Sequence, residues 1–229
     1  MTSPATASDI AARIHQVQEE LPPTVRLVAV TKKFPAAVIR VAYEAGIRDF
    51  GESQVQEAEQ KQAELADLTD ITWHLIGHLQ SNKARKAIAS FQWIHSVDSL
   101  KLAQRLDQIA AELERSPRCC LQVKVASDPN KYGFTVAELT QVLPRLNRLR
   151  HLKIVGLMTI PPYGLAADAT QAIFNQLRQL QAEINQQALP NIQVRQLSMG
   201  MSGDYPIAIA AGSTMIRLGT QLFGSRPSP

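Results

Sequence analysis

The hydrophobic pattern of this chain changes its period repeatedly from one end to the other. Short apolar runs rich in β-branched residues alternate with stretches in which apolar residues recur every three or four positions. The first kind of run predicts a strand that is buried on both faces, and the second predicts an amphipathic helix. Their repeated alternation predicts a parallel sheet covered by helices, which is the α/β class.

About eight strand–helix units can be counted. The expected strands lie near residues 25–32, 49–53, 71–77, 93–98, 119–125, 152–160, 194–200 and 215–219. Ser8 is the expected N-cap of a helix over 8–21, and the barrel itself is expected over 25–224. Eight units in 229 residues favour one domain, a (β/α)₈ TIM-like barrel with an extra N-terminal helix. A doubly wound open sheet is the alternative, because periodicity does not distinguish a closed sheet from an open one.

Composition argues against several classes of function. The 24 basic and 20 acidic residues give a net charge of only +4, without the run of like charges that a nucleic-acid site needs. No apolar stretch reaches the roughly 20 residues that span a bilayer, and the first residues do not resemble a secretion signal. We therefore expect a cytoplasmic protein without membrane association. Cys119 and Cys120 are adjacent, where a mutual disulfide would be strained, so we expect reduced packing residues and no metal site.

Polar residues at the expected strand ends indicate where chemistry takes place, since barrels carry their sites there. The first strand ends in Thr31-Lys32-Lys33, which places an amine at the mouth of the barrel. Such a lysine is usually a solvated cation, but its amine can also form a Schiff base with an aldehyde. Glycines and hydroxyls in 197–204 and 216–220 suit a phosphate site after the last two strands. An ordinary glycine-rich turn is the alternative there.

Six sequence blocks carry a family resemblance. In order, they cover residues 28–32, 50–52, 73–83, 156–159, 197–202 and 217–220. Together they resemble the pyridoxal phosphate homeostasis proteins over nearly the whole chain. The resemblance implies a fold-type III barrel like the N-terminal domain of alanine racemase, with pyridoxal 5'-phosphate (PLP) as cofactor. It also implies a role in intracellular vitamin B6 homeostasis that influences amino-acid and keto-acid balance.

The resemblance further implies which residues bind the cofactor. Lys32 resembles the lysine that holds PLP as a Schiff base, whereas Lys33 does not align with it. Arg217 resembles the residue that faces the pyridine nitrogen. The phosphate clamp and the remaining cofactor contacts are expected at Ser53, His74, Ser198, Met199, Gly200, Gly219 and Thr220.

Four polar positions in the matched blocks or beside them carry alternatives or departures from the family pattern. Ser53 stands where many relatives carry asparagine, and His78 stands where many carry proline. His74 either lines the cofactor or is a hydrogen-bonded core residue. Glu52 either orients a donor or forms a plain salt bridge with a lysine.

The implied arginine limits the chemistry expected of the cofactor. A guanidinium cannot accept the proton of the pyridine nitrogen, so the ring stays largely uncharged and is a poorer electron sink. Racemases of this fold tolerate that arrangement but add a tyrosine from a C-terminal domain, whereas only six residues follow Phe223 here. We therefore expect a monomeric PLP store or carrier without robust catalysis, with PLP-dependent apo-enzymes as partners. The alternatives are a slow PLP-dependent amino-acid racemase or lyase, and a barrel that binds another phosphorylated metabolite without a covalent link.

Overall fold

Eight parallel strands close into a barrel in the computed structural model, which describes residues 5–126, 128 and 131–225. Around the ring, each strand pairs with its neighbour in the chain, and the first pairs with the last, with Val28 opposite Arg217. The open-sheet alternative is therefore wrong. The barrel strands are β1 (Arg26–Val30), β2 (Asp49–Glu52), β3 (Thr72–Leu75), β4 (Trp93–Val97), β5 (Arg118–Lys124), β7 (Lys153–Met158), β8 (Ile192–Ser198) and β9 (Met215–Leu218), while the two-residue β6 (Phe134–Thr135) pairs with β5 outside the ring.

Helices lie outside the ring and cover the sheet. They are α1 (Ala7–Glu20), α2 (Ala36–Glu44), α3 (Val55–Glu64), α4 (Ala84–Ser90), α5 (Leu100–Glu112), α6 (Val136–Leu146), α7 (Ala167–Gln186), α8 (Tyr205–Ala210) and α9 (Thr220–Phe223), and a 3₁₀ turn spans Ser81–Lys83. Their apolar stripes face inward, as Leu102, Leu106 and Ile109 do on α5. The main hydrophobic core therefore lies between the helices and the outer face of the sheet. Within the described residues, no helix combines the length and the apolar character needed to cross a bilayer.

The first helix begins at Ala7, and its N-cap lies two residues earlier than the sequence predicts. Its N-cap is Thr6 rather than Ser8, because the Thr6 hydroxyl accepts the N–H of Asp9 while the Asp9 carboxylate accepts the N–H of Thr6. This reciprocal capping box satisfies two backbone donors, whereas Ser8 lies inside the first turn. The expectation that Ser8 caps the helix was wrong for that reason.

A second, smaller apolar cluster lies inside the barrel. It contains Trp93, Cys120, Met158 and Met215. Cys120 faces this interior and Cys119 faces the helices, since neighbouring strand residues point to opposite sides. Both thiols are free and fully buried, and burial raises the pKa of Cys120 to about 12.

The observed strands are shorter than the expected ones mainly at their carboxyl ends. The first strand ends at Val30 rather than at residue 32, and the sixth of the ring ends at Met158 rather than at residue 160. The residues left over leave the sheet and form the rim of the barrel mouth. Lys32 lies on that rim, two residues beyond β1.

Candidate functional site

Lys32 lies in a tight turn whose backbone is held by its neighbours. Lys33 adopts a left-handed conformation with φ of 66°, and its N–H donates to the Glu57 carboxylate at 2.5 Å. The N–H of Phe34 donates to the carbonyl of Thr31 at 3.0 Å, which closes the turn. Lys32 is half-buried between these fixed points. The turn therefore presents one lysine at the mouth and directs the next one to solvent.

A buried ion cluster beneath the turn supplies this support. Lys61, on α3, donates to the Glu52 and Glu57 carboxylates at 2.7 Å each and to the carbonyl of Thr31 at 2.8 Å. The Thr31 hydroxyl donates to Glu52 at 2.6 Å. Glu52 thus fills both roles that the sequence leaves open, since it orients a donor and pairs with a lysine. Burial raises the pKa of Glu52 above its usual value, although Lys61 acts in the opposite direction.

Sequence reasoning missed Lys61 and Glu57. Lys61 lies on the buried stripe of α3 with Val55 and Ala58. A lysine on an apolar stripe, four residues after a glutamate, is the signal that could have found the cluster.

The loop after β8 and the start of α9 form the part of the rim next to the turn that carries Lys32. Gly200 has a φ of 96°, and a Cβ there would lie 2.7 Å from the Cβ of Ala208, so only glycine fits. Gly219 and Thr220 begin α9, where the helix has no carbonyls of its own to accept their N–H groups. These backbone groups and the exposed Thr220 hydroxyl suit an anion.

Two expected phosphate contacts are already engaged within the protein. The N–H of Met199 donates to the carbonyl of Met215 at 3.1 Å. Ser198 is fully buried, and its hydroxyl lies between His95 and Arg217. The role of Ser198 in the clamp stays a prediction. The hydroxyl that does lie at the rim of this loop is that of Ser202, which accepts the N–H of Gln221 at 3.3 Å.

Arg217 reaches into the barrel interior from β9. Its guanidinium donates to the Ser198 hydroxyl at 2.5 Å and to the carbonyl of Thr159 at 3.0 Å. Burial lowers its pKa to about 10, so the side chain still carries its proton at neutral pH. A fixed buried cation therefore lies one strand away from the turn that carries Lys32.

His74 and His95 are both fully buried inside the barrel. The Nδ1 of His74 lies 2.9 Å from the Nε2 of His95, and its Nε2 lies 2.8 Å from Asp49. Both ring nitrogens of His74 thus have protein partners. This arrangement favours the second interpretation from the sequence, in which His74 is a hydrogen-bonded core residue. Burial lowers the pKa of both histidines, so both rings are neutral at pH 7.

Ser53 and His78 line a recess of about 310 Å³ beside the mouth. The two loops touch here, because a Cβ on Gly77 would lie only 2.2 Å from the carbonyl oxygen of Ser53. His78 bonds to Asp98 at 2.9 Å and stacks on Tyr132, with ring centroids 3.5 Å apart. Ser53 and His78 therefore lie together, on the rim formed by the loops after β2 and β3.

Comparison with known proteins places this arrangement in a family. The model of the alanine racemase N-terminal domain matches residues 6–227. A pyridoxal phosphate homeostasis protein of Synechocystis is 54% identical and covers 99% of this chain and 100% of its own length. The corresponding protein of Pseudomonas aeruginosa is 44% identical, with 95% of this chain and 93% of that protein covered.

Solved structures agree with this assignment. PipY of Synechococcus elongatus, solved with PLP bound, is 57% identical, with a TM-score of 0.90 over 94% of this chain and 100% of its own. Alanine racemase of Clostridium difficile has a TM-score of 0.76 at 17% identity, over 96% of this chain and 60% of that enzyme. The second likeness concerns the fold alone.

Proposed function

The chain belongs to the family of the alanine racemase N-terminal domain and, within it, to the pyridoxal phosphate homeostasis proteins, and from this premise we propose that it binds PLP and serves intracellular vitamin B6 homeostasis. The observation that carries the proposal is the turn at the barrel mouth. It presents Lys32 beside a glycine-rich rim and close to a buried arginine.

The residues at the mouth fit the three parts of PLP. The Lys32 amine suits the aldehyde, with which it condenses to a Schiff base and releases water. Backbone N–H groups near Gly219 and Thr220 suit the phosphate. Arg217 suits the pyridine nitrogen as a donor. Bound PLP supplies an electron sink, which a neighbouring guanidinium weakens because it cannot protonate the ring.

Loss of one hydroxyl at the rim tests the phosphate clamp. We expect Thr220→Val to weaken PLP binding by about 1.5–3 kcal/mol, the range for a hydrogen bond to a charged group. Equilibrium dialysis with PLP and with pyridoxal measures the effect, and pyridoxal should bind the parent protein far more weakly. Thr140→Val is the matched control, because the Thr140 hydroxyl bonds only within α6. Equal affinities of the parent for PLP and pyridoxal would rule out the clamp.

We propose further that the protein stores and releases PLP as a cytoplasmic monomer and passes it to PLP-dependent apo-enzymes. The alternative is a slow amino-acid racemase or lyase. Both would bind the cofactor at Lys32, so binding does not separate them. Turnover and transfer do.

The deciding experiment follows both properties of the PLP-loaded protein. It is incubated with L- and D-amino acids in deuterated water, and exchange of the α-proton is followed by NMR. Transfer of PLP to the apo-form of an aminotransferase is timed in parallel against free PLP. We expect the loaded protein to supply PLP to the apo-enzyme faster than free PLP in solution does. We also expect α-proton exchange far below the 1–10³ per second that is roughly typical of enzymes. Exchange at enzyme-like rates, with no gain in transfer, would establish the racemase alternative instead.

A further inference from the structure

A continuous chain of hydrogen bonds crosses the barrel interior. It begins at Asp49, the first residue of β2, and passes through His74 on β3 and His95 on β4. From the Nδ1 of His95 it continues to the Ser198 hydroxyl at 2.7 Å, and from there to Arg217. The chain therefore connects the amino end of the barrel with the carboxyl end, where the mouth lies. We call these five residues the interior chain.

The two ends of the interior chain fix the direction of every hydrogen bond in it. Arg217 is always a donor, so the Ser198 oxygen accepts from it and donates its own proton to the Nδ1 of His95. A neutral His95 then carries its proton on Nε2 and donates to the Nδ1 of His74.

His74 completes the same sequence of donors. Its Nε2–H donates to the carboxylate of Asp49. Burial acts to raise the pKa of Asp49, but hydrogen bonds from His74 and Arg26 outweigh it and hold the pKa below its usual value. All donors of the interior chain therefore point from the cation at one end toward the anion at the other.

This arrangement bears on a buried cation that lacks a direct counter-ion. Among the residues that the structure describes, no carboxylate forms a salt bridge with Arg217. The two hydrogen-bond partners of its guanidinium are neutral oxygens. Asp204 stabilises its charge only through space. The carboxylate that hydrogen bonds do connect to Arg217, through the interior chain, is Asp49 at its far end. Aligned donors between them polarise one another and lower the energy of the separated charges.

We propose that Asp49, His74, His95 and Ser198 act as positioning residues, which hold the Arg217 guanidinium toward the cofactor ring through a line of donors that ends on Asp49, itself fixed by an ion pair with Arg26. The inference rests on the proposed function, in which Arg217 faces the pyridine nitrogen of PLP. A role in proton conduction is disfavoured, because a proton moving along the chain would charge two histidines that burial keeps neutral.

The test compares two ligands on the full-length protein. One is PLP, and the other is its deaza analogue, in which a C–H group replaces the ring nitrogen and offers Arg217 nothing to bind. Asp49→Asn keeps the shape of the interior chain and removes its negative end, while His95→Phe interrupts the chain. We expect His95→Phe to weaken PLP binding by roughly tenfold or more, Asp49→Asn to weaken it by less, and both to change binding of the analogue by less than about twofold.

Matched controls separate this effect from general damage to the fold. Asp67→Asn removes a carboxylate that pairs with Arg40 at the protein surface and should leave both affinities unchanged. The absorption maximum of bound PLP should shift in Asp49→Asn and not in Asp67→Asn. If the interior-chain variants weaken both ligands equally, or weaken neither, the positioning role is excluded.

A second measurement tests the interior chain without any cofactor. Proton–nitrogen NMR of the histidine rings at pH 7 should show His74 and His95 as neutral Nε2–H tautomers, because burial lowers the pKa of both rings below the usual histidine value. A protonated ring or an Nδ1–H tautomer at either position would overturn the proposed direction of the bonds. Failure of the parent protein to bind PLP would instead contradict the proposed function. The ring spectra would still decide whether the hydrogen bonds of the interior chain run in the proposed direction.

Discussion

Replacement of Lys32 by alanine is expected to abolish covalent attachment of PLP while changing the free energy of unfolding by less than about 1 kcal/mol. The amine is the only part of this side chain that the attachment requires. The turn itself is held through the backbone of Thr31 and Lys33, which the substitution does not touch. Borohydride reduction of the PLP-loaded protein, followed by peptide mass spectrometry, locates the modified lysine. Urea unfolding measures the stability.

Lys33→Ala is the matched control for this variant. Lys33 is adjacent and exposed, and its left-handed backbone directs it away from its neighbour. The control should keep both the absorbance of bound PLP and the modified peptide. Should Lys32→Ala retain a borohydride-stable label, the Schiff base would form elsewhere, and Lys33 would be the first residue to test.

The second large effect concerns stability. Lys61→Met should destabilise the protein by about 3–5 kcal/mol, because it leaves a buried carboxylate without its partner. The side chain of Glu52 is fully buried, and Lys61 also bonds to Glu57 and to the carbonyl of Thr31. The turn that carries Lys32 should loosen as well, so PLP affinity should fall. Urea unfolding with an unchanged m-value measures the first effect, and equilibrium dialysis measures the second.

Lys86→Met provides the comparison for this prediction. Lys86 forms an ion pair with Glu59 at 2.8 Å, close to the 2.7 Å between Lys61 and Glu52. The Lys86 side chain, however, is 55% exposed. Loss of such a pair should cost less than about 1 kcal/mol. The double variant Glu52→Gln with Lys61→Met should recover part of the stability, since it removes the buried carboxylate. Equal losses in Lys61→Met and Lys86→Met would mean that the cluster does not stabilise the turn.

The sequence was sufficient for the barrel because each element has a local signal. The runs at 119–125 and 194–200 match the observed strands β5 and β8 to within two residues at each end. Closure of the ring has no local signal. It depends on pairing between β1 and β9, which are separated by nearly the whole chain. The cap of α1 was misplaced because Thr6 and Ser8 have similar capping propensities, and only the Asp9 carboxylate distinguishes them.

The site could be predicted only in part. Their positions at strand ends make Lys32 and the glycine-rich rim candidates, and only the family resemblance selects them for the cofactor. The roles of His95 and Ser198 could not be deduced, since the two residues are 103 positions apart and meet only inside the closed ring. Alternation along the strands does give one clue. His74 and His95 each occupy the third position of their strands, so neighbouring strands place two polar rings at similar depth.

The pairing of β1 with β9 has a consequence for how the site arises during synthesis. Lys32 and its supporting cluster come from residues 31–61, while the rim and the arginine come from residues 198–220. Both groups meet only along the seam where the first strand joins the last. A nascent chain still lacking β9 therefore has the amine but neither the arginine nor the rim at α9. At the proposed site, cofactor capture would therefore require the complete barrel, and a ligand that bridges this seam would connect the two ends of the fold and stabilise it.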